Sequence, residues 1–278
     1  MKLNNIREGE LTNAFNALED AFTKTRTDYY IIGALAKDVW YSRGNKTMRQ
    51  TRDVDFAVLV GSKQDYESIR NYLKENSNFT TTKENAFVML APSGVQVDIL
   101  PFGEIEIDDR VHIDGAGLTN IKVNGFMEVY QGGTSEVKMH TGHAFKVATL
   151  PSIILLKLIA YDDRPEKRSK DARDIAGIIT HFFDLQADLI YDNHADLFKD
   201  EKDERTLEEI SVIVIGREIR KICSLNEPLM ERLMSILKSH IELAEESAFI
   251  KNMVAENQKT VENNVQILKN IFGALKNN

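Results

Sequence analysis

Hydrophobic positions recur along the chain in two rhythms, and the change between them divides it. In residues 8–25, Leu11, Phe15, Leu18 and Phe22 return every three or four positions, which predicts an amphipathic first helix. Tyr29–Ile32 is a short apolar run that predicts a buried strand, and it stops at Gly33. Ala34–Tyr41 contains neither glycine nor proline and reads as a helix beginning just past that glycine, with Ser42–Met48 as a loop. Val54–Val60 predicts a second strand, ended by Gly61-Ser62. Asp65–Asn76 predicts a helix with Tyr66, Ile69 and Leu73 on its inner face. Ala86–Ala91 and Val95–Leu100, joined by Pro92-Ser93-Gly94, predict a hairpin. From Gly103 to Lys146 the chain is punctuated by glycine. Its short alternating runs (121–123, Met127–Tyr130, 137–139, 145–147) predict further strands.

The rhythm changes at Thr149-Leu150-Pro151. Proline suits the first turn of a helix, and beyond it strand and turn signals almost vanish. Helices are predicted over Ser152–Tyr161, Lys170–Phe183, Leu207–Ile222, Leu229–Ala244 and Glu246–Leu275, the last with room for one break. The charged run Lys199–Arg205 reads as a solvated connection. The expected architecture is α+β over residues 1–148, followed by a helical bundle over 149–278, with no internal repeat.

Composition narrows the function classes. Hydrophobic residues at 42% and charged residues at 28% suit a globular chain with a sizeable core. No apolar run approaches the length of a membrane span, and the first residues lack a signal-peptide core. The single cysteine, Cys223, leaves no internal disulfide and no cysteine-rich zinc site, so a reduced, cytoplasmic location is expected. A net charge of −8 argues against a broad grip on long nucleic acid, while a local basic patch could still hold a nucleotide or one RNA end.

The chemistry concentrates between Tyr29 and Val60. A glycine that ends a strand and opens a helix is a phosphate-binding signal, because the helix's first N–H groups have no partner of their own. Asp53 and Asp55 share one face of a strand, and hard divalent cations take several oxygen ligands from one side. In the hairpin, Asp98 and Gln96 stand on the face opposite Val95, Val97 and Ile99. If the two strands are neighbours, three carboxylates converge, and such anions need a metal or bases beside them. The alternative is that each aspartate caps a turn at a strand edge.

Other polar residues have plainer readings available. Lys157 is the only charge in the apolar run Ile153–Ala160, so it must reach a carboxylate, a phosphate or solvent. Asp171 and Asp174, after the basic turn Arg164–Lys170, could pair with it and join two helices. His140-x-x-His143 has a spacing that zinc sites use, but no third ligand is evident, and two polar loop residues are the simpler reading. Trp40 reads as core rather than as a base-stacking platform, and Cys223 as a buried structural thiol.

Gly33-Ala34, Asp53-x-Asp55 and Asp98 resemble the three-carboxylate signature of the DNA polymerase β-type nucleotidyltransferase superfamily. Thr51-x-Asp53-Val54-Asp55-Phe56, with Lys157-Leu158-x-Ala160, Arg164 and Lys170-Asp171-x-x-Asp174, resembles its abortive-infection (AbiEii/AbiGii-like) branch of toxins from toxin–antitoxin pairs. The likeness runs from about Tyr29 to Ile179, and the remaining residues match only as helix-rich sequence. It implies a nucleotidyltransferase-type mixed β-sheet with flanking helices, and two-metal transfer of an NMP from an NTP to a hydroxyl. Asp53, Asp55 and Asp98 would hold Mg²⁺ or Mn²⁺, with Asp98 nearest the attacking hydroxyl. Lys157 would be catalytic with the three aspartates and, like Lys37, Arg49 and Arg52, a triphosphate contact; Gly33, Ala34, Thr51 and Asp174 would also bind the nucleotide, and Arg49 and Arg52 could instead be loop charges. The acceptor would be RNA, such as a tRNA 3′ end, or a protein side chain, and an antitoxin would be the partner. The alternatives are a small-molecule, antibiotic-type transferase and a binding module without turnover. Family members usually have Gly or Ser after the glycine, whereas Ala34 lacks the possible hydroxyl donor.

Overall fold

The computed structural model describes residues 8–44, 53–138, 142–198 and 205–276. The chain separates into two compact units, Met1–Thr149 and Leu150–Asn278.

In the first unit α1 (Glu8–Thr25) leads into β1 (Asp28–Ile32), α2 (Gly33–Arg43), β2 (Asp53–Leu59) and α3 (Lys63–Ser77). Then come β3 (Thr80–Thr81), β4 (Val88–Leu90), β5 (Gln96–Phe102), β6 (Arg110–His112) and β7 (Asn120–Lys122). The unit closes with α4 (Phe126–Gly132), β8 (Thr134–Lys138) and β9 (Ala144–Ala148). Seven strands form one mixed sheet in the order β3-β4-β5-β2-β1-β9-β8, and β6 pairs with β7 apart from it. The β2–β5 and β1–β9 pairs are parallel, and the other pairs of the large sheet are antiparallel.

Alternation along the strands decides what each face meets. Tyr29, Phe56 and Phe145 turn to the face covered by α1, whose Phe15 and Phe22 pack among their rings. Tyr30 and Phe102 turn to the other face and meet Phe126 and Tyr130 of α4, with the Tyr30 hydroxyl donating to the Phe126 carbonyl at 2.9 Å. β1 is thus covered on both faces, which explains an unbroken apolar run where alternation would otherwise be expected. The helix α3 lies beside α1. Ser62 caps it by accepting from the Asp65 N–H, and Asn78 ends it in the left-handed conformation. Its Tyr66 hydroxyl donates to the Ile99 carbonyl at 2.8 Å.

One expected strand is a helix. Met127–Tyr130 belongs to α4, which starts after Gly125 at φ +89. Phe126 and Tyr130 are four residues apart, so only a helix brings both to Phe102. A four-residue run does not distinguish the helical period from the strand period.

The second unit is helical among its described residues: α5 (Leu150–Asp163), α6 (Ser169–Leu185), α7 (Ala187–Asn193), α8 (Leu207–Cys223), α9 (Glu227–Leu243), α10 (Ala248–Asn257) and α11 (Val261–Lys276). Leu150, Ile153, Ile154, Leu155, Leu158 and Ile159 are all buried, so α5 is a core helix covered nearly all round. Thr206 and Glu209 form a reciprocal capping box at the start of α8. At the α8–α11 crossing a Cβ on Gly216 would stand 2.6 Å from Ala274 Cβ, so glycine sets how closely these helices approach. The expected long helix over Glu246–Leu275 is two, parted by left-handed Gln258 after α10. The short α7 was not anticipated, because only Ile190 of its seven residues is buried. Lys199–Glu204 lie outside the described residues. No described helix is long and apolar enough to cross a membrane.

Candidate active site

Strand register brings the candidate carboxylates together. β2 and β5 run parallel with Asp53 opposite Gln96 and Asp55 opposite Asp98. Paired residues on parallel neighbours share a face, and adjacent strands lie about 4.8 Å apart. Asp55 and Asp98 therefore stand side by side, both partly buried. The row continues to Val88 on β4 and Ile32 on β1, so apolar residues flank the two acids. The Gln96 side-chain amide donates to Asp98 Oδ1 at 3.0 Å and orients that carboxylate. Sequence reading put Gln96 on the right face without assigning it this bond, although its spacing of two from Asp98 was the available signal.

Gly33 is the first residue of α2, at φ +66. A Cβ added to it would lie 2.2 Å from Asp55 Oδ2 and 2.9 Å from Asp55 Cγ. Glycine is required on two separate grounds, the left-handed backbone and the carboxylate pressed against it. The helix that begins there has no acidic residue in its first turn and no side-chain cap at Ile32. Its first N–H groups, with Ala34 among them, form the positive end of the helix dipole beside Asp55. Lys37 follows one turn later, 5.9 Å from the Tyr41 ring centroid.

Arg49, Thr51 and Arg52, expected at the nucleotide, lie outside the described residues. So does the side chain of Asp53, whose backbone begins β2. Among the described residues no three His, Cys, Asp or Glu side chains form a group able to hold a metal ion. The two described carboxylates are hard oxygen donors on one face, the donor chemistry that Mg²⁺ prefers.

Lys157 and Asp174 belong to the second unit. Lys157 Nζ donates to Asp171 Oδ1 at 2.7 Å and to Asp174 Oδ2 at 2.8 Å, tying α5 to α6. Burial pulls this ammonium down, yet the attraction of Asp171 and Asp174 outweighs it and leaves the lysine above its ordinary range. The helix-joining ion pair weighed from sequence is therefore present, with both aspartates engaged.

The remaining candidates take structural places. His143 Nδ1 meets Glu19 at 2.5 Å and packs against Phe15 and Phe145, while His140 lies outside the described residues. The Trp40 indole donates to the Ala148 carbonyl at 2.7 Å within the core. Cys223 is buried.

Comparison with solved structures returns matches that include two structures of one protein. A solution structure of the antibiotic-resistance factor ANT(2″)-Ia shares 15% identity, covering 86% of this chain and 97% of that one, with a TM-score of 0.38. A crystal structure of ANT(2″)-Ia in complex with adenylyl-2″-tobramycin shares 13%, covering 83% and 98%, with a TM-score of 0.39. Comparison with curated proteins gives no significant match. Residues 40–263 match the family described as the nucleotidyl transferase AbiEii toxin of type IV toxin–antitoxin systems, and the chain belongs to that family of nucleotidyltransferases.

Proposed function

We propose that this chain moves an NMP from an NTP to the 3′ hydroxyl of an RNA with Mg²⁺ in the site, and that it acts as the toxin partner of an antitoxin. The observation that carries the reading is Gly33 pressed against Asp55, with Asp98 in register beside it. The contact sets the Asp55 carboxylate against the start of α2, where the helix N–H groups and Lys37 would bind the oxygens of a triphosphate. Asp55, Asp98 and Asp53 would hold the metal, for which Mn²⁺ is the natural substitute. Bound there, it would lower the pKa of the acceptor hydroxyl and neutralise charge developing on the α-phosphate and pyrophosphate. The acceptor oxygen forms a bond to the α-phosphorus as the bond to the bridging oxygen breaks. Pyrophosphate leaves with that electron pair, and the hydroxyl proton passes to Asp98 or to water. Gln96 fixes the Asp98 carboxylate for this role.

A basic turn favours RNA over a protein acceptor. Lys167, Lys170 and Arg173 are exposed next to Arg164 and Arg168 in a chain of net charge −8. A local cationic surface of this kind suits a phosphodiester backbone.

The test is to incubate the protein with Mg²⁺, α-labelled NTPs and either total RNA or a protein fraction. Label should enter RNA, vanish with chelator and return with added Mg²⁺. Asp55→Asn and Asp98→Asn should each fall by roughly a hundredfold or more. Label in protein alone would overturn the RNA acceptor, and undiminished labelling by Asp55→Asn would overturn the site. Expression without an antitoxin should arrest growth in the wild type and not in Asp55→Asn.

A further inference from the structure

A cavity of about 380 Å³ opens beside α3, the helix that lies with α1 across the sheet from Asp55 and Asp98. That volume is within the range of small-ligand sites, about 300–1,000 Å³. Arg70 lines it with its side chain only 6% exposed, and Lys74 and Lys83 add two further cations. The guanidinium lies over the Tyr66 ring and gives Nη1 to Glu67 at 2.8 Å, yet among the described residues its buried Nε meets no acceptor. A buried cation with one carboxylate partner is incompletely satisfied. A planar guanidinium matches the paired oxygens of a phosphate.

The walls of the cavity are held in place. Ala86 donates to the Leu118 carbonyl and Leu118 to the Glu84 carbonyl, both at 2.9 Å, which binds the 114–116 turn to the 82–86 turn. Gly117, at φ +70, lets the chains approach so closely that a Cβ there would stand 2.0 Å from the Glu84 oxygen. The carboxylates of Glu67 and Asp114 share this cavity with the three cations. That mixture suits a ligand with a phosphate at one end and hydroxyls on its body. We infer that this cavity binds a small phosphomonoester bearing hydroxyl groups, separately from the Asp55–Asp98 site.

The test uses the full chain, with ribose 5-phosphate as probe and ribose and inorganic phosphate as controls, by calorimetry and thermal melting at constant ionic strength. Ribose 5-phosphate should bind saturably and raise the melting temperature, and ribose should not. Inorganic phosphate should compete. The double variant Lys74→Ala/Lys83→Ala, at a half-buried and an exposed position, should keep transferase activity and weaken binding about tenfold or more. Asp55→Asn should bind as the wild type does. The inference is overturned by no saturable binding at millimolar probe, by undiminished binding to the lysine variant, or by loss of binding in Asp55→Asn. Arg70→Lys keeps the charge and removes the fork, so it should also weaken binding while the protein melts cooperatively.

Discussion

At the scale of single residues, Gly33 concentrates the requirements of the site. Its left-handed φ of +66 and the 2.2 Å from a built Cβ to Asp55 Oδ2 exclude any side chain without movement of strand or helix. Gly33→Ala is expected to cost about 1–3 kcal/mol in stability and to depress nucleotidyl transfer further than the stability loss explains, because Asp55 itself must shift. Melting and transfer assays on the same preparation separate the two effects. Lys157 makes a different point, since its two aspartates tie it between α5 and α6. Lys157→Met would strand one buried and one half-buried carboxylate and should destabilise by about 3–5 kcal/mol, read by denaturant unfolding. Its pKa is raised in the fold, so the pairing stabilises below the ordinary lysine value and is lost as pH rises through the higher folded one.

At the scale of elements, packing contacts rather than local preference choose between helix and strand where runs are short. α4 is helical because Phe126 and Tyr130 both reach Phe102, and β1 is unbroken in apolarity because α1 and α4 cover its two faces. The α9–α10 contact carries a pH dependence. His240 stacks on Phe249 at 4.6 Å with rings 9° apart, and Tyr161 meets both edge-on. Burial holds this imidazole below its ordinary 6.5, opposed by Asp162. As pH falls through that value the unfolded chain takes up the proton first, so stability declines with acidification. His240→Phe should flatten this part of the slope between pH 7.5 and 5.5, measured by melting temperature. An unchanged slope would assign the acid sensitivity to other groups.

At the scale of the whole molecule, the chain consists of two units, each with its own described core. We expect residues 150–278 expressed alone to give a helical spectrum and a single cooperative melt, because α5 is enclosed by α6, α8 and α9 of the same unit. A fragment that melts without a cooperative transition would show that the helical unit depends on the first one. The charge is also unevenly placed. A chain of net −8 still carries the basic turn Arg164–Lys170, so transfer to RNA should weaken steeply with added salt while nucleotide binding at Gly33 changes less.

Much of this was legible in the residues, and the reason is distance along the chain. The periods of α1 and α3, the hairpin at Pro92–Gly94 and the glycine turn before α2 are set within windows of a few residues, where backbone stereochemistry and alternation act alone. The shared face of Asp53 and Asp55 follows from strand geometry in the same way. The pairing of Asp55 with Asp98 does not, since it depends on β2 lying parallel to β5 in one register. In that register buried Val97 and Ile99 of β5 stand beside buried Val54 and Phe56 of β2, a match between residues some forty positions apart that no local signal contains. The same holds for the 2.2 Å approach at Gly33, for the helical state of α4, and for both aspartates closing on Lys157. By itself, then, the sequence determined which residues could carry the chemistry, because residue type and period are local. Only the tertiary structure decided which of them meet, because side chains far apart in sequence are brought together by burial of the surfaces between them.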